Sequence, residues 1–224
     1  MSLPGAVLLD IEGTTTAISF VYDALFPFAR AQIGAFLTAH WDDPAVRADS
    51  GRLGDGAATT PEAAARAAVA LMDADVKDTG LKALQGRVWA AGYASGELRG
   101  HVYPDVPVAL RAFAARGVPA YIYSSGSVAA QRLLFGCSDA GDLTPLLAGY
   151  FDTTTGPKLD PTSYRAIATA VALPPEALLF VTDHLGEAEA ARVAGLQVAV
   201  SRRPGNPPLP PHDFRVITSL MNLF

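Results

Sequence analysis

Three short apolar runs, each ending abruptly in polar residues, frame this chain. Val7, Leu8 and Leu9 lead into Asp10-Ile11-Glu12, Pro119–Tyr123 leads into Ser124-Ser125-Gly126-Ser127, and Leu178–Val181 leads into Thr182-Asp183. Short continuous apolar runs of this kind predict strands buried on both faces, as in a parallel sheet. A further strand is expected at Gln197 to Val200.

Between the first two strands the apolar spacing becomes helical. Phe20, Val21, Leu25 and Phe26 lead to Pro27, which should break or restart the helix, and Ile33, Phe36 and Leu37 carry it on to about His40. Residues 42–58, rich in Asp, Gly and Ala, read as loop. Thr60-Pro61-Glu62 is a helix start, with a hydroxyl cap, proline at the first position and an acid near the positive end. That helix should run to about Val76. Another follows Asp78-Thr79-Gly80, with Leu81, Leu84, Val88 and Trp89 on one face, and ends in the glycine-rich stretch from Gly92 to Gly100. Later helices are expected at about 106–116, 128–135, 161–171 and 185–194, the last closed by Gly195. The apolar tail from Val216 should dock on the core. The fold class is α/β: a doubly wound parallel-sheet core with an inserted α-helical cap domain. Residues 1–18 and 101–224 form the core and residues 19–100 the cap.

Composition narrows the function. A chain of 224 residues, half of them hydrophobic, is long enough for a full core. Its net charge of −5, without a polybasic stripe, gives no field for nucleic acid. No apolar run approaches a membrane span and no secretory signal opens the chain, so a cytoplasmic location is expected. The single cysteine, Cys137, excludes an internal disulfide framework and reads as packing. His101 reads as a surface or capping residue, and the proline-rich stretch from Pro204 to Pro211 as a plain surface loop.

The candidate chemistry lies at the strand ends, where open α/β sheets bind ligands. Asp10 and Glu12 with backbone carbonyls suit a hard cation such as magnesium, and Gly13 lets the backbone turn sharply there. Ser124 and Ser125 at a helix start form an anion site or an ordinary cap. Lys158, in the loop Gly156-Pro157-Lys158, is either a solvated charge or a point charge for phosphate. Asp183 ends the third strand, and Glu187 follows it. Each has a plain structural reading alone. Together, in this order, they make a kit for phosphoryl transfer.

The same residues resemble the haloacid-dehalogenase-like superfamily, whose first motif is two acids flanking one residue. More closely, the chain is similar to the acireductone synthase (enolase-phosphatase) family of methionine salvage. The likeness is carried by Asp10-Ile11-Glu12-Gly13-Thr14-Thr15-Thr16, Leu25-Phe26-Pro27, Gly100-His101-Val102-Tyr103-Pro104-Asp105, Tyr121-Ile122-Tyr123-Ser124-Ser125-Gly126-Ser127 and Gly149-Tyr150-Phe151-Asp152. It departs at Thr182-Asp183-His184-Leu185-Gly186-Glu187, where the family has serine before the aspartate and a more acidic run after it, which leaves the role of Glu187 open.

The resemblance implies a Rossmannoid core and a magnesium-dependent enolase-phosphatase. It would turn 2,3-diketo-5-methylthiopentyl-1-phosphate into acireductone and phosphate through an aspartyl-phosphate. Asp10 would be the nucleophile and Glu12 the acid/base. One Mg2+ per subunit would be held by Asp10, the Glu12 backbone carbonyl and Asp183, and Ser124, Ser125 and Lys158 would bind the phosphate. Glu12 is a candidate enolisation base by position. The expected partner is this small phosphorylated diketone, without nucleic acid or membrane, and the protein is expected to be a monomer. A phosphatase of another metabolite remains the alternative within the superfamily. A phospho-accepting receiver-like module is the alternative outside enzymes, although such modules lack a helical insert and carry their lysine after the other site residues.

Overall fold

The first strand is fully buried and lies inside a six-stranded sheet. The strands are β1 (Ala6–Leu9), β2 (Ala120–Tyr123), β3 (Gly149–Phe151), β4 (Leu178–Thr182), β5 (Gln197–Ser201) and β6 (Arg215–Ile217). Every pair is parallel, in the order β3-β2-β1-β4-β5-β6. The order reverses between β1 and β4, so the chain builds outward from β1 in both directions, and that reversal opens a crevice at the carboxyl ends. Leu9 is level with Ile122 of β2 and Val181 of β4. Asp10 therefore follows level with Tyr123 and Thr182, and Ser124 and Asp183 come one residue further on the strands to either side. This computed structural model describes residues 3–56 and 58–224. Positions 1, 2 and 57, which fall within the expected core segment 1–18 and the expected loop 42–58, lie outside the described residues.

The chain divides into two compact units, one taking residues up to Phe20 and Arg99–Phe224, the other Val21–Leu98. After β1 comes a single turn, α1 (Ile18–Phe20), in the first unit. The second unit opens with a π-helical turn, Val21–Leu25, and α2 (Phe26–His40), which carries Pro27 in its first turn. Pro27 has no N–H, and its ring crowds the carbonyl four residues back; the wider π turn accommodates both.

The expected loop at 42–58 is corrected here, because α3 (Pro44–Ser50) lies within it. Asp43 caps this helix by accepting from Ala45 N, and Pro44 occupies its first turn, a start signal hidden by the glycine-rich composition around it. α4 (Pro61–Asp73) begins as expected, with Thr60 accepting from Ala63 N, but stops short of Val76 where Asp75 turns to φ +50°. α5 (Thr79–Ser95) is capped by Asp78 and runs through Gly92. Ile33, Leu37, Val46, Ala64, Leu84 and Val88 meet in this unit's own core. A fully buried leucine such as Leu37 or Leu84 contributes about 2 kcal/mol. The buried Asp49 is paired with Arg87 Nε at 2.7 Å.

Back in the first unit are α6 (Asp105–Ala115), α7 (Val128–Gly136), α8 (Pro161–Ala170) and α9 (Leu185–Val193). Successive strand residues point to opposite faces, so the sheet has two cores. Val7, Leu9, Ile122 and Val181 pack with Leu110 and Phe113 of α6 and Phe135 of α7. Leu8, Tyr123 and Phe180 pack with Tyr164 and Ile167 of α8 and Ala190 of α9. This is the doubly wound arrangement. The tail docks as expected, with Leu220 and Leu223 in the first core, although its residues 215–217 also add the sheet's last strand.

Candidate active site

Asp10 emerges from the middle of the sheet and is buried, at 5% exposure. Its Oδ1 lies 2.6 Å from Lys158 Nζ, and the same ammonium lies 2.7 Å from Glu187 Oε2. Burial alone would push the lysine down, but the two carboxylates outweigh it and hold the ammonium above the ordinary lysine range. Thr182 Oγ1 donates to Glu187 at 2.9 Å and lies 3.4 Å from Asp10 Oδ2. The lysine loop is fastened by three hydroxyls. Tyr164 donates to Lys158 O at 2.6 Å, Tyr123 to Gly156 O at 2.9 Å and Ser163 to Pro157 O at 2.8 Å.

Glu12 sits on a tight loop. The N–H groups of Thr14, Thr15 and Thr16 all turn to Ile11 O, Gly13 N donates to Thr16 O, and Thr15 Oγ1 donates to Asp10 O at 3.0 Å. Gly13 adopts φ +68°, and a Cβ there would collide with the Asp183 carboxylate. Only glycine allows both the turn and that close approach. Burial raises the Glu12 carboxyl above the usual range, with Asp10 and Glu187 adding to the effect and Lys158 opposing it. Asp183 is pushed up to about 7, first by burial, then by Asp10 and Glu187, again against Lys158.

Ser124 and Ser125 follow β2 at the start of α7. Ser127 takes the capping role, accepting from Ala130 N at 3.3 Å. Ser124 is buried and accepts from Gly126 N at 3.2 Å, while Ser125 is exposed. Gln131 Nε2 holds this loop by donating to Gly126 O and Phe151 O at 2.7 and 2.8 Å. The structure thus joins Asp10, Lys158 and Glu187 directly. It sets Glu12 and Asp183 within electrostatic reach of them, and places the serines on the neighbouring strand end.

Sequence reasoning missed two residues and left two others open. Asn206, read as part of a surface loop, and Arg203 just before that stretch bond the loop that carries Glu12; the Pro204-Gly205 turn signal between them was their one visible mark. Glu187 is a direct partner of Lys158. His101, expected as a surface or capping residue, is half-buried, with Nδ1 accepting from Ala17 N at 3.2 Å and Thr16 Oγ1 donating to His101 O at 2.5 Å.

Asp10 and Glu187 thus pair with one ammonium and Glu12 and Asp183 lie within its electrostatic reach, leaving an excess of negative charge at the switch point of the sheet. Oxygen donors in that setting fit a hard divalent cation, which would in turn bridge to a phosphate. Glycine at position 13 lets the Asp183 carboxylate lie close against the loop backbone.

Comparison with known proteins agrees with this geometry. Residues 4–195 match the haloacid dehalogenase-like hydrolase family. The enolase-phosphatase E1 of Pseudomonas aeruginosa (strain UCBPP-PA14) is 50% identical over 207 residues, covering 89% of this chain and 90% of that protein. That of Synechococcus elongatus is 46% identical over 238 residues and covers both chains in full. Among solved structures, the UTR4 protein of Saccharomyces cerevisiae matches with a TM-score of 0.84 at 34% identity, over 96% of this chain and 98% of that one. Matches of this extent take in the sheet and the inserted helices together, not the sheet alone.

Proposed function

The chain belongs to the enolase-phosphatase family of the haloacid dehalogenase-like hydrolases, and on that footing we propose that it converts 2,3-diketo-5-methylthiopentyl-1-phosphate to acireductone and phosphate. The observation that carries the reading is the 2.6 Å pair of Asp10 and Lys158 at the end of β1, in a chain half identical to a protein of that activity.

Asp10 is the nucleophile. Its carboxylate attacks phosphorus, and the bond from phosphorus to the substrate's bridging oxygen breaks, leaving an aspartyl-phosphate. Glu12, whose carboxyl is raised by burial and by its acidic neighbours, gives a proton to the departing oxygen. It then takes a proton from the water that attacks the aspartyl-phosphate, which frees phosphate and restores Asp10. Lys158 stays charged beside the reacting oxygens and offsets the charge on the phosphoryl group. Ser124 and Ser125 bind the phosphate oxygens with it, from the start of α7.

One Mg2+ per subunit fits this donor set, held by the carboxylates of Asp10 and Asp183 and the main-chain carbonyl of Glu12. When bound, the ion would polarise the substrate carbonyl for proton removal and the phosphoryl group for transfer.

The reading takes the protein as a cytoplasmic monomer acting on a small molecule. One cysteine suits a reducing compartment, a net charge of −5 offers nothing to nucleic acid, and no helix among the described residues is long and apolar enough to cross a membrane. The test is Asp10→Asn, which keeps the shape of the side chain and removes the nucleophile. Phosphate release should be lost while thermal unfolding stays cooperative. Retained turnover would remove Asp10 from this role.

A further inference from the structure

Past the end of β5, a four-residue turn reaches the loop that carries Glu12. Arg203-Pro204-Gly205-Asn206 closes with a hydrogen bond from Asn206 N to Arg203 O at 3.1 Å. Proline second and glycine third, with Gly205 at φ +85°, are the residues a type II turn requires. Its two outer side chains meet consecutive carbonyls of the loop. Asn206 Nδ2 donates to Gly13 O at 2.9 Å, joined there by Ser201 Oγ at 3.2 Å, and Arg203 Nε donates to Thr14 O at 3.0 Å. The orientation of the Asn206 amide is forced, since its nitrogen also faces Ser201 O at 3.4 Å, and two carbonyls can be met only by a donor. Asn206 and Asp183 line one cavity of about 120 Å³.

Arg203 is itself anchored. Its side chain is 4% exposed, its Nη1 lies 2.9 Å from both Asp105 oxygens and donates to Thr218 O at 3.0 Å, and its guanidinium lies over the Tyr103 ring. Asp105 also accepts from Ser219 Oγ and Leu220 N. The turn is therefore fastened to α6 and to the docked tail at once.

Glu12 depends on this more than Asp10 does. Asp10 is held by Lys158 and by its own strand. No side chain among the described residues hydrogen-bonds the Glu12 carboxyl, and the next two carbonyls of the backbone that carries it are the ones Asn206 and Arg203 hold. We infer that Arg203 and Asn206 are positioning residues for Glu12, fixing the loop so that its carboxyl meets the oxygen that leaves phosphorus. The inference rests on the acid/base role proposed for Glu12.

The test separates positioning from mere stability by the leaving group. A substrate whose leaving oxygen departs as a stable anion, 4-nitrophenyl phosphate, gains little from a general acid, whereas the diketone phosphate needs one. In Asn206→Ala and in Arg203→Lys, which keeps a cation beside Asp105 but loses the Nε–H, kcat/KM on the diketone phosphate should fall by about 10- to 100-fold. The fall in kcat/KM on 4-nitrophenyl phosphate, which reports only the step that forms the aspartyl-phosphate, should stay within about threefold. Glu12→Gln should likewise lose more kcat/KM on the diketone phosphate than on 4-nitrophenyl phosphate, while losing kcat on both through the water-attack step. Equal falls on both substrates, or no fall on either, in turn variants that fold would overturn the inference while Glu12→Gln still discriminates. If Glu12→Gln itself fails to discriminate, the acid role falls and this inference with it. Should Arg203→Lys not fold, Asn206→Ala alone decides, because Asn206 is only half-buried and carries no charge.

Discussion

Lys158 Nζ stands between Asp10 Oδ1 and Glu187 Oε2, 2.6 Å from the first and 2.7 Å from the second. The two acids come from different elements, the end of β1 and the first turn of α9, and the lysine from the loop before α8. One ammonium thus holds together three parts of the chain at the point where the sheet changes direction. Breaking a buried pair by removing one partner leaves the other charge uncompensated, at a cost of about 3–5 kcal/mol.

Lys158→Met should therefore act twice. Phosphate binding should weaken and turnover slow, read as a higher KM and a lower kcat. The unfolding midpoint should also fall at neutral pH and recover in acid, where the stranded carboxylates take up protons. A variant with wild-type kinetics would place the lysine outside the reaction.

Gly13→Ala tests the close approach of Asp183. Alanine is strained at φ +68°, and its Cβ would occupy the space of the Asp183 carboxylate. We expect a stability loss of about 1–3 kcal/mol and a loss of metal affinity. Magnesium titration followed by calorimetry would show both effects. Unchanged affinity would mean that Asp183 does not need its place over the loop.

The fold of this chain was legible where buried parallel strands show as unbroken apolar runs, and a candidate site was legible because those runs stop in Asp10, Ser124 and Asp183. Helix α3 was not, because the cap Asp43 and the turn residue Pro44 sit in a composition that favours loop. Arg203 and Asn206 were not legible either. A Pro-Gly turn in a proline-rich segment looks the same whether it faces solvent or another loop, and the carbonyls it meets are about 190 residues away in sequence, a separation that no local pattern records. Glu187 lies between these cases, since its place on α9 was expected but its pairing with Lys158 is purely tertiary.

Asp183 gives a pH prediction. Its carboxyl, ordinarily at 3.8, is pushed up to about 7. The folded protein thus binds this proton more tightly than the unfolded chain does. Its contribution to the stability of the metal-free protein is complete below about pH 4 and is lost as the pH rises towards 7. Magnesium requires the ionised form, so the rise in unfolding midpoint on adding it should be larger at about pH 8 than at about pH 5. An equal rise at both would separate Asp183 from the metal.

The central claim is that one site carries out both enolisation and phosphate removal on the diketone phosphate. Its most direct test is anaerobic incubation with that substrate, with and without magnesium, following acireductone absorbance and released phosphate together. Both should appear, in equal amounts and only with the metal. Release of phosphate without acireductone, or hydrolysis confined to generic phosphate esters, would contradict the account.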